Sequence, residues 1–390
     1  MKDTYKIFII AGEASGDLLG ARLIAALKKR YPQHHFIIDG IGGDLMVSAG
    51  IKPLFPMQEL SVMGIAEVLP KLFQLLKRIK QTAEAITQNN YDAVITIDSP
   101  DFSFRVLKKL HAHHTKIKAI HYVAPSVWAW RPKRAKKIAK LYHHLLCLLP
   151  FEPPYFLREG LPATFIGHAV IEGEALKADS QRFFKHYHHL SHGDKIICLL
   201  PGSRKGEVDR HLPIFLDVVK TLQKSHANLK VIIPTLPHLE KYVAAMVHDI
   251  NVTIISDYAY KYDAFAASSI ALAASGTVAL ELAMTKTPMV VAYKMNFITA
   301  FFARLLVKIP FVSLPNIILN KKIIPELLQK KCIAVNLTHE VEILLNDQNL
   351  SLQQVEAFNN VQTFITPDNG LLPSEYAAEV ILRVLDNNAK

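Results

Sequence analysis

The chain has 390 residues, a length that fits two or three domains, each with a core of its own. Half of the residues are hydrophobic and 20% are charged, a composition that excludes a disordered chain. The formal net charge of +11 favours anionic partners such as nucleotide phosphates, nucleic acid or an acidic membrane surface. No apolar run reaches the roughly 18 residues that a membrane span needs. The three cysteines are Cys147, Cys198 and Cys332, and no two of them form a Cys-x-x-Cys pair. This favours buried thiols in a reducing compartment.

Apolar, β-branched segments alternate with longer helical patterns along the whole chain, which indicates βαβ units and parallel sheets. The predicted strands are Ile7–Ala11, Phe36–Asp39, Ala93–Asp98, Lys118–Val123, His144–Leu149 and Thr164–Ile166 in the first half, and Ile196–Leu200, Val231–Pro234, Val252–Ser256, Ile270–Ala274 and Met289–Tyr293 in the second. A polar segment separates the two sets, and we expect the domain boundary near Gly167–Val170. The pattern predicts two doubly wound α/β domains that face each other across a cleft.

The first predicted strand runs directly into the loop Gly12-Glu13-Ala14-Ser15-Gly16-Asp17. A junction of strand, glycine loop and helix directs backbone N–H groups and the positive end of a helix dipole at a ligand, most often a phosphate. Glu13 and Asp17 add carboxylates to this loop, which favours a transfer between two substrates over storage of one. Since the N-terminal apolar run passes straight into the loop, we expect no signal peptide and a cytoplasmic protein.

The segment Leu60–Lys80 predicts an amphipathic helix that also carries basic residues. Pro70 suits the first helical turn of this segment. Such a helix can lie in the interface of an anionic membrane, and packing on its own sheet is the alternative. A second candidate of this kind is Phe297–Phe311, where a core helix is favoured. The residues at helical spacing are Leu69, Leu72, Phe73, Leu76 and Ile79, and the interleaved cations are Lys71, Lys77, Arg78 and Lys80.

Asp98 ends a predicted buried strand, and Asp101 follows three residues later. A carboxylate at the carboxyl end of a parallel strand points into the cleft, where partial burial would raise its pKa towards general-base use. The alternative is a helix N-cap, a role that Asp101 fits better than Asp98.

Both tryptophans of the chain, Trp128 and Trp130, follow the next predicted strand together with Arg131. Two indoles and an arginine at that place could form one wall of an acceptor site, although aromatic core packing explains one of the two indoles equally well. The basic run that comes next, Lys133 to Lys137, is typical of a solvated helix face.

Two strand ends of the second half carry phosphate-binding signals. Arg204 follows Leu200-Pro201-Gly202-Ser203 and can pair bidentately with a phosphate. Ser275, Gly276 and Thr277 begin a helix on which Glu281 lies one turn further on, placed to accept hydrogen bonds from ribose hydroxyls. A surface arginine after a turn and an ordinary helix N-cap are the alternatives.

Paired histidines occur four times, at His34/His35, His113/His114, His143/His144 and His188/His189. They have no carboxylate or cysteine partners at ligand spacing, so we expect neither a metal nor another cofactor.

In order and spacing these motifs closely resemble the lipid-A-disaccharide synthases, a family of inverting glycosyltransferases with the GT-B fold. The resemblance covers nearly the whole chain. Its segments are Gly12–Asp17 with Leu18-Leu19-Gly20, Val62-Met63-Gly64, Asp98–Phe102, His121–Arg131, Phe165–His168, Leu200–Arg204, Ala274–Glu281, Pro288–Val291 and Ser313–Asn316.

The resemblance implies a hexosyltransferase that joins UDP-2,3-diacylglucosamine to 2,3-diacylglucosamine 1-phosphate by a β-1,6 linkage and releases UDP, in the lipid A pathway to lipopolysaccharide of Gram-negative bacteria. It implies work at the cytoplasmic face of the inner membrane, with peripheral attachment, and a homodimer that exchanges C-terminal segments. The implied domains are an acceptor- and membrane-facing domain at 1–168, completed by a C-terminal helix at 366–390, and a UDP-sugar-binding domain at 169–365.

The resemblance also assigns residues. Glu13, Asp98, Arg204 and Asn316 match positions required for activity, and Ser275, Gly276, Thr277 and Glu281 match the UDP site. Lys294 stands where the family pattern has an arginine, which leaves a phosphate contact there open. We expect acceptor or loop contacts from Ser15, Asp17, Asp101, Trp128 and Arg131, and membrane contacts from Leu69, Leu72, Phe73, Leu76, Lys77 and Arg78.

An inverting transfer needs a base for the acceptor hydroxyl and charge stabilisation for the departing UDP. Asp98 is the first choice for the base and Glu13 the second, while Arg204 and the amides of Ser275–Thr277 replace a metal ion. Another soluble GT-B enzyme, such as a UDP-sugar epimerase, would explain the loops but not the Leu60–Lys80 segment. A nucleic-acid-binding protein would explain the charge but not the carboxylate-bearing loops, so we expect no nucleic acid partner.

Overall fold

The computed structural model describes residues 2–60, 65–112, 117–296 and 309–386, with the backbone alone for residues 65–72. The chain divides into two compact units. The first comprises Met1–Ala169 and Ile365–Lys390, and the second comprises Val170–Phe364. Each unit contains one parallel sheet with helices between its strands, so the predicted pair of doubly wound α/β folds is confirmed.

The parallel sheet of the first unit consists of β1 (Thr4–Ala11), β2 (His35–Ile41), β3 (Lys52–Pro53), β4 (Ala93–Ile97), β5 (Lys118–Tyr122), β6 (His144–Cys147) and β7 (Ala163–Phe165). The strand order is β3-β2-β1-β4-β5-β6-β7. Strand β1, which lies between β2 and β4, is apolar and buried from Ile7 to Ala11, as expected for a parallel strand with helices on both faces. Ala11 pairs with Ile97 of β4, so the loops after β1 and β4 leave the sheet side by side.

The helices of the first unit are α1 (Ala14–Arg30), α2 (Asp44–Ser48), α3 (Ile65–Gln88), α4 (Pro100–Ala112), α5 (Arg134–Ala139) and α6 (Pro153–Leu157). Right-handed crossovers between parallel strands place α1 and α2 on one face of the sheet and α3 to α6 on the other. The C-terminal helix Pro373–Asp386 packs against α1, and its Ala377 and Ile381 join the core of this unit.

The sheet of the second unit consists of β8 (Ile196–Leu200), β9 (Lys230–Pro234), β10 (Thr253–Ile255), β11 (Ile270–Ala274), β12 (Met289–Tyr293) and β13 (Glu326–Leu328). Its strand order is β10-β9-β8-β11-β12-β13, so the order reverses between β8 and β11. The described helices are α7 (Ser180–His186), α8 (Lys205–Ser225), α9 (Glu240–Met246), α10 (Lys261–Ala266), α11 (Val278–Met284), α12 (Leu314–Leu319), α13 (Ala334–Asn346) and α14 (Gln348–Phe364).

Short 3-10 turns of the two units lie at Met57–Glu59, Ala169–Glu172, Glu174–Lys177, Pro237–Leu239, Tyr258–Tyr260 and Gln329–Lys331.

Structure and sequence prediction differ mainly at element ends. The edge strands β3 and β13 are not predicted, because two or three residues are too few to show an apolar alternation. Asp98 lies outside β4, which ends at Ile97. Helix α3 already includes Ile65, so Pro70 lies inside the helix and not in its first turn.

The predicted state of the cysteines is confirmed: all three are buried free thiols, and burial raises the pKa of each. Within the described ranges, no helix is both long enough and apolar enough to cross a bilayer. The same ranges contain no group of three His, Cys, Asp or Glu side chains that could hold a metal ion.

Candidate active site

A cavity of about 440 Å³ opens at the carboxyl edge of the sheet in the second unit. In doubly wound folds ligands bind at this edge, where the strand order reverses. The last residue of each strand from β8 to β12 lines the cavity: Leu200, Pro234, Ile255, Ala274 and Tyr293. The loops that follow these strands, and the first turns of the helices after them, supply the other lining residues: Gly202, Ser203, Arg204, Glu207, Thr235, Leu236, Pro237, Ser256, Asp257, Tyr258, Lys261, Ser275, Gly276, Thr277, Val278 and Glu281.

The turn between β11 and α11 consists of Ser275, Gly276 and Thr277. Thr277 is the N-cap residue of α11, and the Ser275 hydroxyl donates to the carbonyl of Val312 at 3.4 Å. No described atom lies within 4 Å of the position that a Cβ on Gly276 would take. A ligand can therefore approach this backbone closely, beside two hydroxyl side chains, which suits a phosphate group.

Glu281 lies one helical turn beyond this loop and is held by two side chains of α10. Its Oε2 accepts from Lys261 Nζ at 2.7 Å, and its Oε1 accepts from the Tyr262 hydroxyl at 3.0 Å. Burial and the charge of Glu281 raise the pKa of Tyr262, which keeps that hydroxyl protonated as a donor. Each carboxylate oxygen keeps a further lone pair that can accept from a ligand hydroxyl. Sequence reasoning missed Lys261, because no local motif links it to Glu281.

Arg204 precedes α8 as its N-cap residue, and 63% of its side chain is exposed. Its Nη1 lies 4.0 Å from Glu207 Oε1, while Glu207 Oε2 accepts from the Ser203 amide at 3.0 Å. Gly202 has φ +131°, and a Cβ there would lie 2.4 Å from Glu207 Cβ, so only glycine fits this turn. Glu207 thus fixes the loop and leaves the Arg204 guanidinium accessible to an anion.

His211 of α8 joins two of the loops that follow cavity-lining strands. Its Nδ1 donates to the carbonyl of Pro201 at 2.9 Å, and its Nε2 accepts from the Lys294 amide at 2.9 Å. The ring is buried, lies 5.5 Å from the Tyr293 ring, and has its pKa lowered by burial. A neutral imidazole with its proton on Nδ1 makes both bonds. Lys294 itself is exposed and does not line the cavity.

Asn316 of α12 is buried with every hydrogen-bonding position of its amide occupied. Nδ2 donates to the Ile324 carbonyl and to Glu326 Oε1, and Oδ1 accepts from the amides of Ile323 and Ile324. Glu326 also accepts from both the amide and the hydroxyl of Ser313. Asn316 therefore acts as a positioning residue for the segment beside Ser275 and has no group left for a substrate.

In the first unit, Glu13 and Asp98 follow the neighbouring strands β1 and β4. Glu13 is exposed and Asp98 is half-buried. Gly12 packs directly against Ser99, since a Cβ on Gly12 would lie 2.5 Å from the Ser99 hydroxyl oxygen. The loops that carry the two predicted base candidates are therefore in contact.

Backbone strain is concentrated beside Asp98. Asp98 and Ser99 have φ angles of +51° and +42°, and Val123, which follows the adjacent strand β5, has φ +80°. Left-handed conformations of non-glycine residues cost on the order of 1–3 kcal/mol each and persist where the surrounding structure fixes them, often at functional sites. The Asp98 amide donates to the Tyr122 carbonyl at 3.1 Å and helps to hold this turn.

The structure corrects the expected role of Asp17. Its carboxylate is buried and accepts from the amides of Gly43, Leu45 and Met46 at 2.8 to 3.1 Å. Asp17 thus caps the N-terminus of α2, because three backbone donors outcompete a ligand for its oxygens. Ser15, on the first turn of α1, is exposed.

The two tryptophans have different surroundings. Trp128 is half-buried, packs edge-on against Phe151, and donates from Nε1 to Glu152 at 3.2 Å. Burial raises the pKa of Glu152 to about 7. Trp130 is exposed and stacks under the Arg131 guanidinium at 4.1 Å. Trp128 is therefore fixed in place by Glu152, a residue that no sequence motif identified.

Asp101 has a side chain that is 92% exposed and pairs with Arg134 Nη2 at 3.1 Å. It lies in the first turn of α4, where a carboxylate interacts favourably with the helix dipole.

Among the expected membrane residues, Phe73 and Leu76 are 84% and 45% exposed, and Lys77 is exposed as well. Arg78 differs from the expectation: its guanidinium makes a bidentate pair with Glu59 at 2.7 Å and lies over the Phe55 ring. This pair raises the pKa of Arg78 and lowers that of Glu59. Arg78 thus anchors α3 to its own unit. The side chains of Leu69 and Leu72, and residues 297–308 of the second candidate segment, lie outside the described residues.

Comparison with known families and proteins gives consistent matches. Residues 7–376 match the family described as lipid-A-disaccharide synthetase. The chain is 44% identical over 382 residues to the lipid-A-disaccharide synthase of Rhodospirillum centenum, covering 97% of this chain and 94% of that protein. It is 41% identical over 386 residues to the corresponding synthase of Rickettsia bellii, covering 96% and 98%.

Solved structures resemble the chain in fold. A UDP-GlcNAc 2-epimerase from Neisseria meningitidis bound to UDP-GlcNAc aligns with a TM-score of 0.64 at 15% identity, covering 97% of this chain and 99% of that one. A glycosyltransferase from Rickettsia africae aligns with a TM-score of 0.59 at 16% identity, covering 99% and 100%. At these identities the likeness establishes the GT-B fold and no particular activity.

Proposed function

The chain belongs to the lipid-A-disaccharide synthase family, which condenses UDP-diacylglucosamine with diacylglucosamine 1-phosphate, and we propose that its second unit binds the UDP-sugar while its first unit serves the acceptor. The observation that carries this proposal is the cavity at the carboxyl edge of the second sheet. It combines an accessible arginine, a glycine turn at a helix start and a held carboxylate. These are the groups that a nucleoside diphosphate requires.

In the proposed binding mode, Ser275–Thr277 and Arg204 contact the diphosphate and Glu281 accepts from the ribose hydroxyls. The Lys261 ammonium and the Tyr262 hydroxyl hold the Glu281 carboxylate in its orientation. Asn316 and Glu326 act indirectly, by fixing the segment whose Val312 carbonyl accepts from Ser275.

The proposed reaction is a single displacement with inversion at the anomeric carbon. A hydroxyl of the acceptor sugar attacks that carbon and gives its proton to a carboxylate of the first unit, Asp98 or Glu13. The bond from the anomeric carbon to the UDP oxygen breaks, and Arg204 and the turn amides stabilise the charge that develops on UDP. No residue in this scheme requires a metal ion.

We also propose peripheral attachment to the cytoplasmic face of the inner membrane. The acylated substrates require access to a lipid phase, and Phe73 and Leu76 of α3 are apolar side chains exposed on the first unit. Trp128 and Arg131 are assigned to the acceptor site.

The direct test is incubation of the purified protein with UDP-diacylglucosamine and diacylglucosamine 1-phosphate, with detection of the disaccharide by mass spectrometry. We expect disaccharide and one UDP per bond formed. An Arg158→Ala variant, which removes an exposed arginine of the first unit far from these loops in sequence, serves as the control and should keep full activity. Release of UDP without disaccharide would contradict the assignment of the acceptor.

A further inference from the structure

Glu152 is a buried carboxylate of the first unit, and N–H donors occupy both of its oxygens. It is the N-cap residue of α6, and only 3% of it is exposed. Oε2 accepts from the amides of Leu148 and Leu149 at 3.1 and 3.0 Å, and Oε1 accepts from Trp128 Nε1 at 3.2 Å. One side chain therefore fixes the loop after β6 and, at the same time, the indole of the loop after β5.

The loop that carries this indole lies beside the loop of the candidate base. The Asp98 amide donates to the carbonyl of Tyr122, and the Val123 amide donates to the carbonyl of Leu146, each at 3.1 Å. Strand β5 lies between β4 and β6 in the sheet. The chain after β5, which leads to Trp128, thus leaves the sheet between the Asp98 loop and the loop that Glu152 fixes.

The contact with two loops explains why a carboxylate occupies this buried position. Burial raises the pKa of Glu152 to about 7, so an ionised group is costly there, and its N–H donors act against that shift. An uncharged acceptor oxygen, such as that of glutamine, is sufficient to cap the two amides alone. A glutamine, however, turns an NH2 group towards the remaining donor, whereas a carboxylate offers an acceptor on both sides. The second oxygen therefore serves Trp128.

Trp128 is held by two contacts that leave its ring surface for a ligand. Besides the bond to Glu152, its ring meets that of Phe151 with centroids 5.1 Å apart and planes at 90°. Because Nε1 already donates to Glu152, the half-buried indole offers a ligand an apolar aromatic surface and no free donor. Such a surface suits the C–H face of a sugar ring.

We propose that Glu152 is a positioning residue of the acceptor site, which holds the Trp128 indole in the orientation that packs against the acceptor sugar. The inference rests on the proposed function, since it takes the acceptor of that reaction as the ligand. A ligand that meets an indole already in place does not bear the entropy cost of ordering that side chain, so the benefit appears in acceptor binding. The UDP cavity is built from the second unit and does not include Glu152.

The first test separates acceptor binding from turnover. Glu152→Gln should raise the acceptor KM by about three- to tenfold, the range for one side chain that must be ordered on binding, with UDP affinity and kcat close to wild type. The matched control is Glu159→Gln, which removes the same charge from an exposed residue nearby in sequence and should leave the acceptor KM unchanged. A folded Glu152→Gln variant with the wild-type acceptor KM would overturn the proposal.

A double-mutant cycle shows whether Glu152 acts through the indole. Trp128→Phe keeps an aromatic ring and removes the N–H donor. If Glu152 orients Trp128, the double variant should have the acceptor KM of Trp128→Phe alone. Effects on the acceptor KM that multiply, or an equal rise in the KM for UDP-diacylglucosamine, would mean that Glu152 only stabilises the loop after β6, and the proposal would be wrong.

Fluorescence reports on the indole itself. The chain has two tryptophans, so Trp130→Phe leaves Trp128 as the single indole, and this variant is the reference. Added diacylglucosamine 1-phosphate in detergent should shift its emission, and Glu152→Gln in the same background should need more of that lipid for half of the shift.

This measurement also distinguishes the positioning role from the proposed function. A reference protein whose emission shifts with the lipid but which forms no disaccharide would refute the proposed function and leave the role of Glu152 standing. Disaccharide formation without an emission shift, or with the same lipid concentration at half-shift in both proteins, would refute the role of Glu152 alone.

Discussion

The imidazole of His211 accepts a hydrogen bond from the backbone of Lys294, 83 positions further along the chain, at 2.9 Å. The other ring nitrogen donates to Pro201, just before the loop that carries Arg204. One buried side chain thus ties the loop after β8 to the loop after β12, and both strands end at the same cavity. The geometry of Arg204 depends on a residue that would not itself touch the ligand.

We expect His211→Asn and His211→Gln to affect UDP binding unequally. An asparagine amide can still donate to Pro201, whereas a glutamine amide reaches towards Lys294 and leaves the Pro201 carbonyl unpaired. Because Pro201 leads into the Arg204 loop, His211→Gln should weaken UDP binding by about tenfold, the cost of one unsatisfied buried group, and His211→Asn by less. Calorimetric titration with UDP measures this. Equal UDP affinity in both variants and wild type, with only a lower melting temperature, would reduce His211 to a structural role.

Substitutions in the two units should separate UDP binding from turnover. Arg204→Ala and Glu281→Ala should each weaken UDP binding by roughly 10- to 100-fold, the range for a lost hydrogen bond to a charged group. Asp98→Asn should leave UDP binding nearly unchanged and abolish disaccharide formation, since it removes the proton acceptor. Parallel measurement of UDP affinity and turnover tests both. An equal loss of UDP affinity in all three variants would show that the units are misassigned.

Local patterns predicted the parts of the site that are contiguous in sequence. The turn at Ser275–Thr277 and the loop at Gly202–Arg204 each follow an apolar strand directly, so strand pattern and turn residues suffice to place them. The fold class follows in the same way from the alternation of strands and helices.

The residues that sequence reasoning missed act through long-range contacts. Lys261 reaches Glu281 across 20 positions, and Trp128 reaches Glu152 across 24. Asp17 has the sequence context of a ligand-binding loop, yet its oxygens are taken by amides near position 45. Such pairings depend on the packing of elements, and periodicity or spacing in one sequence carries no record of them.

Catalysis should not depend on a divalent metal. Arg204 and the amides of the Ser275–Thr277 turn are the groups proposed to stabilise the charge on departing UDP, and an arginine remains charged at every working pH. Disaccharide formation should therefore be unchanged in excess EDTA. Activity that disappears with EDTA and returns with magnesium or manganese would contradict the proposed charge stabilisation.

Membrane attachment through α3 should depend on its exposed apolar side chains. Replacing Phe73 and Leu76 with Ser should lower binding to uncharged vesicles without lowering the melting temperature, because 84% and 45% of these side chains are already exposed. Adding Leu69→Ser and Leu72→Ser extends the test to the other two leucines that are expected to contact the membrane.

The matched control for this variant is Val335→Ser with Leu352→Ser, which replaces two side chains of the second unit that are 77% and 56% exposed. Vesicle sedimentation and thermal melting are measured side by side. Undiminished binding by a folded Phe73/Leu76 variant would move the insertion site elsewhere, with Phe297–Phe311 as the next segment to test.

The stability of the fold should fall as the pH is lowered from 7 to 5. Burial lowers the pKa of His121 to about 3 and that of His168 to about 4. The folded-state pKa of each histidine lies below its unfolded value of about 6.5, so its contribution to stability is complete above about pH 6.5. As the pH falls below that value, the unfolded chain binds more protons than the folded chain, and this stability is lost. Each of these two histidines therefore lowers the free energy of unfolding by about 2 kcal/mol between pH 7 and pH 5.

Glu152 acts in the opposite direction. Burial raises its pKa to about 7, so it favours the folded state increasingly as the pH falls from 7 towards its unfolded value. The histidines outnumber it, and a net loss of stability remains. His121→Asn, whose amide can take the place of Nδ1 and so keeps a partner for the Thr96 hydroxyl, removes one titrating group and should flatten the fall of melting temperature between pH 7 and pH 5. A wild-type melting temperature that stays constant over this range, or a His121→Asn variant with an unchanged slope, would show that protonation of this buried histidine is not what destabilises the fold.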